Sequence, residues 1–422
     1  MYLTKRDEQF LNGAFGLAPQ MAMNILTQLG DVLGADEMMD VEQAHVDGCI
    51  YESQAHLDFA EKLAALGGHV ILPTTLNATS LDLRHPDAWG YSAQWKTQAQ
   101  RMANAYLAMG CTPTWTCAPY QTEFVPKFGQ QIAWAESNAI VYANSVIGAR
   151  TNRYGDFTDI CAALTGRVPK YGLHLAENRR GQILFELKNI PAALFDDDAF
   201  YPVLGHYIGK ATGDKIPVID GLPRDVSPDA LKALGAAAAS SGAVAMFHAV
   251  GITPEARTLE QAFGGNAYAR VKITLRELNN ARAELSSADG AQLDAVVLGS
   301  PHFSLQECLT LAEIIRGKRV HSAVEFIVTT NRLVTAALRA RGVLQTLTDA
   351  GVRVCEDTCI LLSPMLRPEI RVLMTNSAKY AYYTPNLLER RVAFGSLRDC
   401  VASAAQGSVM REESIWKSAA EN

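Results

Sequence analysis

The chain has 422 residues, of which 48% are hydrophobic and 19% are charged, and its formal net charge is −6. This length and composition predict a globular protein of two or three domains and exclude wholesale disorder and a fibrous repeat. The negative charge, without a run of Lys or Arg, argues against a nucleic-acid-binding surface. No apolar stretch reaches the roughly 18 residues that span a bilayer, and the N-terminus has no apolar signal region, so we expect a cytoplasmic protein.

The first third of the chain is predicted to alternate helices with strands. Apolar residues four apart indicate helices around 21–29 and 57–66, and the run HVILP at 69–73 is typical of a buried strand. Spacings of three and four predict a further helix over 94–109, and another is expected over 131–147.

The middle of the chain is the least regular part of the sequence. Residues 190–228 contain the run DDD at 196–198 together with several Gly and Pro. We therefore place a domain boundary in this stretch, which divides the chain into regions 1–225 and 226–422. The poorly patterned residues 253–292 are interpreted as an insertion or a domain edge.

The second half alternates apolar runs with helical segments. Strands are predicted at 243–251, 295–300, 324–330, 352–359, 370–377 and 392–396. Continuous Val, Ile and Leu runs are typical of strands buried on both faces, and their alternation with helices indicates parallel sheets with right-handed crossovers. The sequence thus predicts an α/β fold of mostly parallel sheets flanked by helices.

Small polar or thiol residues follow successive strands of the second half. They are Ser300, Thr329, Thr330, Cys359, Asn376, Ser377 and Ser396. Ligands of open α/β sheets bind outside the carboxyl ends of the strands, where helix N-termini favour anions. Any one of these residues could be only a helix N-cap. Five successive strand ends of this kind favour a site for a small carboxylate or phosphate.

The segment TNSAK at 375–379 is the short motif most typical of an anion-binding turn. Asn376 supplies an amide, Ser377 a hydroxyl and Lys379 an ammonium at a predicted strand-to-helix turn.

Two motifs of the first half also follow predicted strands. In PTTLN, the side chains of Thr74, Thr75 and Asn77 are candidate donors to a ligand. In AHVDG, His45 lies at another expected strand end, but a lone His is more often structural than catalytic.

The segment GARTNR at 148–153 offers two guanidinium groups. Arg150 and Arg153, with Asn152 between them, suit a carboxylate or phosphate, and a solvated helix terminus is the equal alternative.

The chain has eight cysteines, too few for a disulfide scaffold of this length, and none forms a CxxC pair. Cys117 in TCAPY and Cys359 in DTC lie at expected loop and strand ends, which suits an iron or iron–sulfur site assembled by the fold. By spacing alone, two inert thiols are the more ordinary interpretation. The absence of GxGxxG and GxxxxGK[ST] argues against nicotinamide and nucleoside-triphosphate chemistry.

Taken together, these segments resemble the catalytic subunit of aconitase X, a distant branch of the aconitase superfamily. The resemblance runs from residue 1 to about 405, with the motifs in family order. It is carried by MYLTKRDEQFLNG, AHVDG, LPTTLNATSLDL, GCTPTWTCAPY, FGQQIAWAESNAIVYANSVIGARTNR, ALTGRVPKYGLHLAENRR, SGAVAMFHAVGITPEA, GSPH, EDTC, LMTNSAKYAYYTPNL and VAFGSLRDC.

The resemblance implies an aconitase-like fold of two or more lobes and iron–sulfur-dependent dehydration of a small hydroxy acid. One kind of family member dehydrates cis-3-hydroxy-L-proline to Δ1-pyrroline-2-carboxylate, and another dehydrates mevalonate 5-phosphate. Cys117 and Cys359 match two of the family's cluster-ligand motifs, whereas Ser300 stands where many members have Cys. Ser300 implies a smaller cluster or another ligand, for which Cys111 and Cys355 are nearby candidates. Ser300 also favours the kind of family member that dehydrates cis-3-hydroxy-L-proline.

The resemblance also implies what completes the site. In aconitase-like enzymes, the base that takes the alpha proton resembles an activated serine on a small swivelling domain. The chain ends soon after VAFGSLRDC, so we expect a separate small subunit to supply that domain. Within this chain, the catalytic candidates are Ser377, Lys379 and Ser396. The non-enzymatic alternative is a binding protein that has lost its cluster. Ser300, in the place of a cysteine, is the observation that favours it.

Overall fold

Parallel strands form the frame of the structure, a computed structural model that describes residues 1–288, 290 and 292–417. Contacts within the chain define two units, which we call unit 1 (Met1–Arg180) and unit 2 (Gly181–Asn422). Among the residues described, no helix is both long enough and apolar enough to cross a membrane.

Unit 1 packs helices around a small parallel sheet. Its helices are α1 (Lys5–Leu11), α2 (Leu17–Leu33), α3 (Gln54–Ala65), α4 (Ala93–Ala108), α5 (Ser137–Tyr142) and α6 (Thr158–Thr165). Its strands are β1 (Met38–Asp40), β2 (Ala44–Val46), β3 (Thr74–Leu76), β4 (Ala133–Trp134) and β5 (Arg167–Pro169). The central strand β2 pairs in parallel with β3 and β4, whereas β1 and β5 form a separate antiparallel pair.

A buried ion pair ties the start of unit 1 to its last strand. The Nε and Nη2 atoms of Arg167 donate to the two carboxylate oxygens of Asp7 over 2.8 and 3.0 Å, and both side chains are buried. Thr4 caps α1 and binds the same carboxylate. Burial raises the pKa of Asp7, but the Arg167 and Thr4 hydrogen bonds outweigh it and hold that pKa below its ordinary value.

Unit 2 contains two parallel sheets with their covering helices. Its helices are α7 (Phe200–Thr212), α8 (Pro228–Ser241), α9 (Leu259–Phe263), α10 (Leu275–Glu284), α11 (Leu305–Ile315), α12 (Arg332–Ala340), α13 (Val343–Asp349), α14 (Ala378–Tyr383) and α15 (Leu397–Gln406). Its strands are β6 (Ile183–Leu187), β7 (Pro217–Asp220), β8 (His248–Ala249), β9 (Ala269–Ile273), β10 (Ala295–Leu298), β11 (Glu325–Thr330), β12 (Val352–Glu356), β13 (Val372–Thr375) and β14 (Arg391–Phe394).

The two sheets of unit 2 are parallel throughout, as the sequence predicts. One has the strand order β8-β7-β6-β9, and the other has the order β12-β11-β10-β13-β14. The strands of the second sheet are almost wholly buried, which explains their continuous apolar runs. The α/β class with parallel sheets flanked by helices is therefore confirmed.

Several local predictions differ from the structure. The predicted strand at 69–73 lies ahead of the observed strand β3, because the hydrogen-bonded ladder begins in the more polar TTL segment. The predicted helix over 131–147 is instead the strand β4, followed by α5 and a π-helix at Ala143–Ile147.

The irregular stretch 190–228 contains the helix α7 and the strand β7. Nearly every residue of α7 is buried, so the helix shows no polar face in the sequence. Gly205 and Gly209 let it approach α8 closely, since a Cβ on Gly205 would lie 2.2 Å from the Leu234 carbonyl oxygen. The chain accordingly divides at Arg180–Gly181 rather than near residue 225, because β6 and β7 pair in one sheet with β9.

Replacing Arg167 with Met should destabilise unit 1, because it leaves the Asp7 carboxylate buried without its cation. We expect the free energy of unfolding to fall by about 3 kcal/mol, the lower end for a buried pair because the other partner of Arg167, Asp40, is exposed. Chemical denaturation at pH 7 measures this. The difference from wild type should shrink as the pH falls through the lowered pKa of Asp7.

Arg101→Met is the matched control, since Arg101 forms a similar bidentate pair with Glu61 on the surface of unit 1. An equal loss of stability in the two variants would contradict a special role for the buried pair.

Candidate active site

The carboxyl edge of the five-stranded sheet gathers the motifs that the sequence singles out. The loop after β10 carries GSPH, the loop after β12 carries DTC, the turn after β13 carries TNSAK, and β14 leads into Ser396. Gly299 has φ +99°, and a Cβ there would lie 2.1 Å from the Thr329 carbonyl oxygen, so only glycine allows the chain to turn this tightly beside β11. This turn places Ser300 at the sheet edge.

Two hydrogen bonds join these loops. His302 Nε2 lies 2.9 Å from the Thr358 carbonyl oxygen, which links GSPH to DTC, and Ser377 Oγ donates to the Ser300 carbonyl oxygen. Because a carbonyl only accepts, His302 carries its proton on Nε2. Burial lowers the pKa of His302 to about 4, so the ring is neutral at physiological pH. Ser300, Asn376, Ser377 and the Cys359 loop are thus brought together.

The DTC loop is held by an ion pair that the sequence analysis missed. Asp357 has φ +61° and receives the backbone N–H of Arg332 at 2.9 Å and its Nε at 2.8 Å. Burial raises the pKa of Asp357 to about 6, against the opposing effect of Arg332. A left-handed aspartate at the end of a strand is a sign of a functional turn that the sequence does not reveal.

The helix-cap interpretation of the strand-end serines agrees with the structure. Ser377 Oγ accepts the backbone N–H of Tyr380 at 3.0 Å, and Ser396 Oγ accepts that of Asp399 at 3.1 Å. Lys379 lies half-buried in the first turn of α14. The hydroxyl of Ser377 therefore both caps α14 and holds Ser300, which leaves its catalytic role a prediction.

A cavity of about 390 Å³ opens beside this edge, within unit 2, and Ser300, Asn376 and Ser377 are among the residues that line it. Its wall also includes the buried Lys232, which is bonded to Glu307 and lies 3.0 Å from Asp229. Burial lowers the pKa of Lys232, but these two carboxylates outweigh it and raise that pKa to about 12. The volume suits a small metabolite.

The corresponding edge in unit 1 is acidic. Asp47 follows β2 and accepts from the amide of Asn77, which follows β3, while Glu136 follows β4 and caps α5 through Ala139. Burial raises the pKa of Asp47, and the nearby carboxylates of Asp156, Glu136 and Asp159 raise it further. Asn77 thus donates to a carboxylate of the chain, and its role as a donor to a ligand stays a prediction.

His45, Thr74 and Thr75 lie within the sheet of unit 1 rather than beyond its edge. His45 Nδ1 lies 2.8 Å from Thr75 Oγ1, and Thr74 Oγ1 donates to the Leu72 carbonyl oxygen. Burial lowers the pKa of His45 to about 3. Its Nε2 is buried and has no hydrogen-bond partner among the residues described.

Arg150 of GARTNR lies beside the residues that lead into β4. Arg150 pairs with Gln131 in an isolated bridge, and its guanidinium lies 3.5 Å from the His174 carbonyl oxygen. Asn152 holds the loop of residues 171–173 through both ends of its amide, and Arg153 is exposed. Arg150 and Asn152 are thus engaged with the loop of residues 171–174, and their role in binding a ligand stays a prediction.

Seven of the eight cysteines fall into two groups. Burial raises the pKa of the thiols of Cys49, Cys111, Cys161, Cys308 and Cys400, which keeps them protonated and poor metal ligands. Cys117 and Cys359 lie in loops, where Cys117 is buried with its carbonyl oxygen held by Asn138 and Cys359 is partly exposed.

Each of these thiols fits the chemistry of an iron–sulfur ligand. Across the described part of the chain, no three His, Cys, Asp or Glu side chains form a metal-binding group. Cys355, the other candidate in unit 2, is buried within β12.

Comparison with protein families gives three successive matches. The families described as the aconitase X first, second and third domains match residues 1–177, 181–283 and 293–406. The solved structure of Thermococcus kodakaraensis aconitase X in its holo-form is similar to this chain, with a TM-score of 0.86, 32% identity and coverage of 96% of this chain and 100% of that one.

Curated proteins of two kinds are similar along nearly the whole chain. The cis-3-hydroxy-L-proline dehydratases of Pseudomonas aeruginosa and Hypocrea jecorina are 46% and 44% identical over 95% and 96% of this chain, which spans 69% of each. The phosphomevalonate dehydratase large subunit of Methanothermobacter thermautotrophicus is 37% identical over 92% of this chain and 94% of its own length.

The turn at Gly299 is open to a direct test. Gly299→Ala should lower the free energy of unfolding by about 3 kcal/mol or more, because the added Cβ meets the Thr329 backbone and the positive φ is strained. Gly317→Ala is the control, since Gly317 also has positive φ but no atom of the described residues lies within 4 Å of a Cβ there, and it should cost only about 1 kcal/mol. Similar values from thermal and chemical denaturation of the two variants would mean that the close contact does not matter.

Proposed function

Because the chain belongs to the aconitase X family, we propose that it is an iron–sulfur-dependent hydro-lyase that dehydrates cis-3-hydroxy-L-proline to Δ1-pyrroline-2-carboxylate. The relatives at 44–46% identity carry the name of this activity. The observation that carries the proposal is the meeting of GSPH, DTC and TNSAK at one sheet edge, beside a cavity of metabolite size.

Cys117 and Cys359 would hold the cluster, since they are the loop thiols of the two family motifs. An iron–sulfur cluster of this class supplies a Lewis-acidic iron that makes a hydroxyl a better leaving group and a carboxylate a better electron acceptor. Ser300 presents a hydroxyl where many family members have a thiol. Because Ser300 replaces this thiol, the proposed cluster has fewer protein thiolates or takes another ligand.

The residues around Ser300 act by positioning. Dehydration removes the proton alpha to the carboxylate and the hydroxyl on the neighbouring carbon, which together leave as one water. The resulting enamine then tautomerises to the cyclic imine. Ser300 and Asn376 line the cavity in which the substrate binds, and Ser377 and His302 fix the loops that carry them. Because the Ser377 hydroxyl already has two partners, we assign the alpha proton to a base outside this chain.

A separate small subunit supplies that base in this proposal. Several relatives are named large subunits, and this chain spans 94% of one of them. It spans only 69% of the two hydroxyproline dehydratases, which leaves a further segment in those proteins. A cytoplasmic location stays a prediction from the sequence.

Mevalonate 5-phosphate is the second candidate substrate, favoured by the 37% identity to a phosphomevalonate dehydratase subunit. A phosphate group calls for a basic pocket. The cavity of unit 2 has Lys232 in its wall, but that ammonium is already bonded to two carboxylates. This charge arrangement favours the first substrate.

An assay with both substrates tests the proposal. The anaerobically purified chain, with and without the small subunit from its source organism, is incubated with cis-3-hydroxy-L-proline or mevalonate 5-phosphate, and Δ1-pyrroline-2-carboxylate or the dehydrated phosphate ester is measured. We expect turnover of the hydroxyproline, and only with the small subunit. Turnover of the phosphate ester alone would overturn the substrate assignment. Full activity of the single chain would overturn the proposal that a small subunit is required.

The cluster ligands are tested by substitution of the loop thiols. Cys117→Ala and Cys359→Ala should each remove most of the visible absorption and the iron and sulfide content of the anaerobic protein, because one thiolate is lost from the ligand set. Cys308→Ala is the control, since its thiol is buried in α11 and should leave the iron content unchanged. Unaltered iron in both loop variants would exclude these two residues as ligands.

A further inference from the structure

The cavity of unit 2 is strongly acidic. Of the described residues in its wall, Lys232 alone carries a positive charge, and Asp229 and Glu307 are bonded to it. The other carboxylates in the wall are Asp196, Asp197, Asp198 and Asp225. Carboxylates collected around a small volume give it a negative potential, which attracts a cationic group and repels a phosphate.

Asp198 is the carboxylate placed next to the predicted site residues. Its Oδ2 accepts the side-chain amide of Asn376 at 3.1 Å, and both of its oxygens lie 3.0 Å from the backbone N–H of Leu397. Two segments of the sheet edge therefore fix its orientation. The residue as a whole is nevertheless exposed and lines the cavity, so a ligand can reach it.

Asp198 also occupies the place that the sequence analysis assigned to an anion. Leu397 is the first residue of the ten-residue helix α15, and free N–H groups at a helix N-terminus favour a negative charge. Here the negative charge belongs to the chain itself. The DDD run at 196–198, which the sequence analysis placed in an irregular stretch, thus contributes a fixed carboxylate to this edge.

The ionisation of Asp198 is consistent with a cationic ligand. Burial raises the pKa of the Asp198 carboxyl to about 6, and the neighbouring Asp197 adds to this, while the bonds from Asn376 and Leu397 act in the opposite direction. At pH 7 to 8 the group is mostly ionised, and an ammonium beside it would strengthen that form.

We propose that Asp198 binds the ring ammonium of the substrate and thereby selects a cyclic amino acid over a phosphorylated hydroxy acid. This inference rests on the proposed function and adds a specificity-determining residue to it. An ammonium donates charge-assisted hydrogen bonds to a carboxylate, whereas a phosphate would face Asp198 without a counter-charge. The substrate carboxylate then points away from Asp198.

Kinetics of Asp198→Asn with cis-3-hydroxy-L-proline test the proposal in the complete enzyme. We expect KM to rise roughly tenfold to a hundredfold with a smaller change in kcat, because the substrate loses a charge-assisted bond in its ground state. Asp198→Glu keeps the charge and should recover part of the affinity. Asp214→Asn, an exposed surface change outside the cavity wall, should leave both constants unchanged.

Two competitive inhibitors separate binding of the ammonium from a merely structural role. L-proline carries the ammonium, and tetrahydrofuran-2-carboxylate has an ether oxygen in its place. The wild-type enzyme should bind L-proline at least tenfold more tightly, and Asp198→Asn should lose most of that preference. A folding defect would weaken both inhibitors equally, and that result would overturn the proposal.

The outcomes also distinguish this inference from the proposed function. If the wild-type enzyme does not dehydrate cis-3-hydroxy-L-proline, the proposed function fails, and the ammonium assignment fails with it. If the wild-type enzyme is active and Asp198→Asn keeps both its KM and its preference for L-proline, the role of Asp198 alone is wrong.

Discussion

Parallel pairing of the strands β10 to β14 is the constraint on which the candidate site depends. Strands that run in one direction end at one edge of the sheet, so the residue that follows each of them is delivered to the same place. Ser300, Asp357 and Asn376 are far apart in the sequence and meet for this reason. Hydrogen bonds made by side chains adjust the positions of these residues, but the parallel pairing of the strands brings the residues together.

The loops at this edge depend on one another. His302 donates to the loop of Cys359, Ser377 donates to the loop of Ser300, and the Arg332 ion pair fixes Asp357. Each bond uses a backbone or side-chain group from a different strand end, so no loop is held by its own residues alone. A site built in this way is already ordered before a ligand arrives, which lowers the entropic cost of binding.

The sequence predicted those parts that local patterns encode. Helices with one apolar stripe, such as α4, and strands with continuous apolar runs, such as β11, lie where periodicity placed them. The buried helix α7 has no such stripe, and the three-residue strand β3 is too short and polar to show a pattern. In the site, the strand-end positions were predictable. The contacts of Asp198 and Arg332 were not, because they join elements distant in the sequence.

The sign of the charge at the sheet edge shows why a correct local rule gave an incomplete prediction. A helix N-terminus does favour an anion, and α15 has one, but Asp198 supplies it from within the chain. The ammonium of Lys232 is likewise neutralised inside the protein. The charge that the cavity presents to a ligand is therefore negative. A zwitterionic amino acid can balance this charge with its ammonium, whereas a phosphate ester has no positive group to do so. Ser300 and Asp198 would then act in different ways in this chain, Ser300 at the cluster and Asp198 through the charge of the substrate.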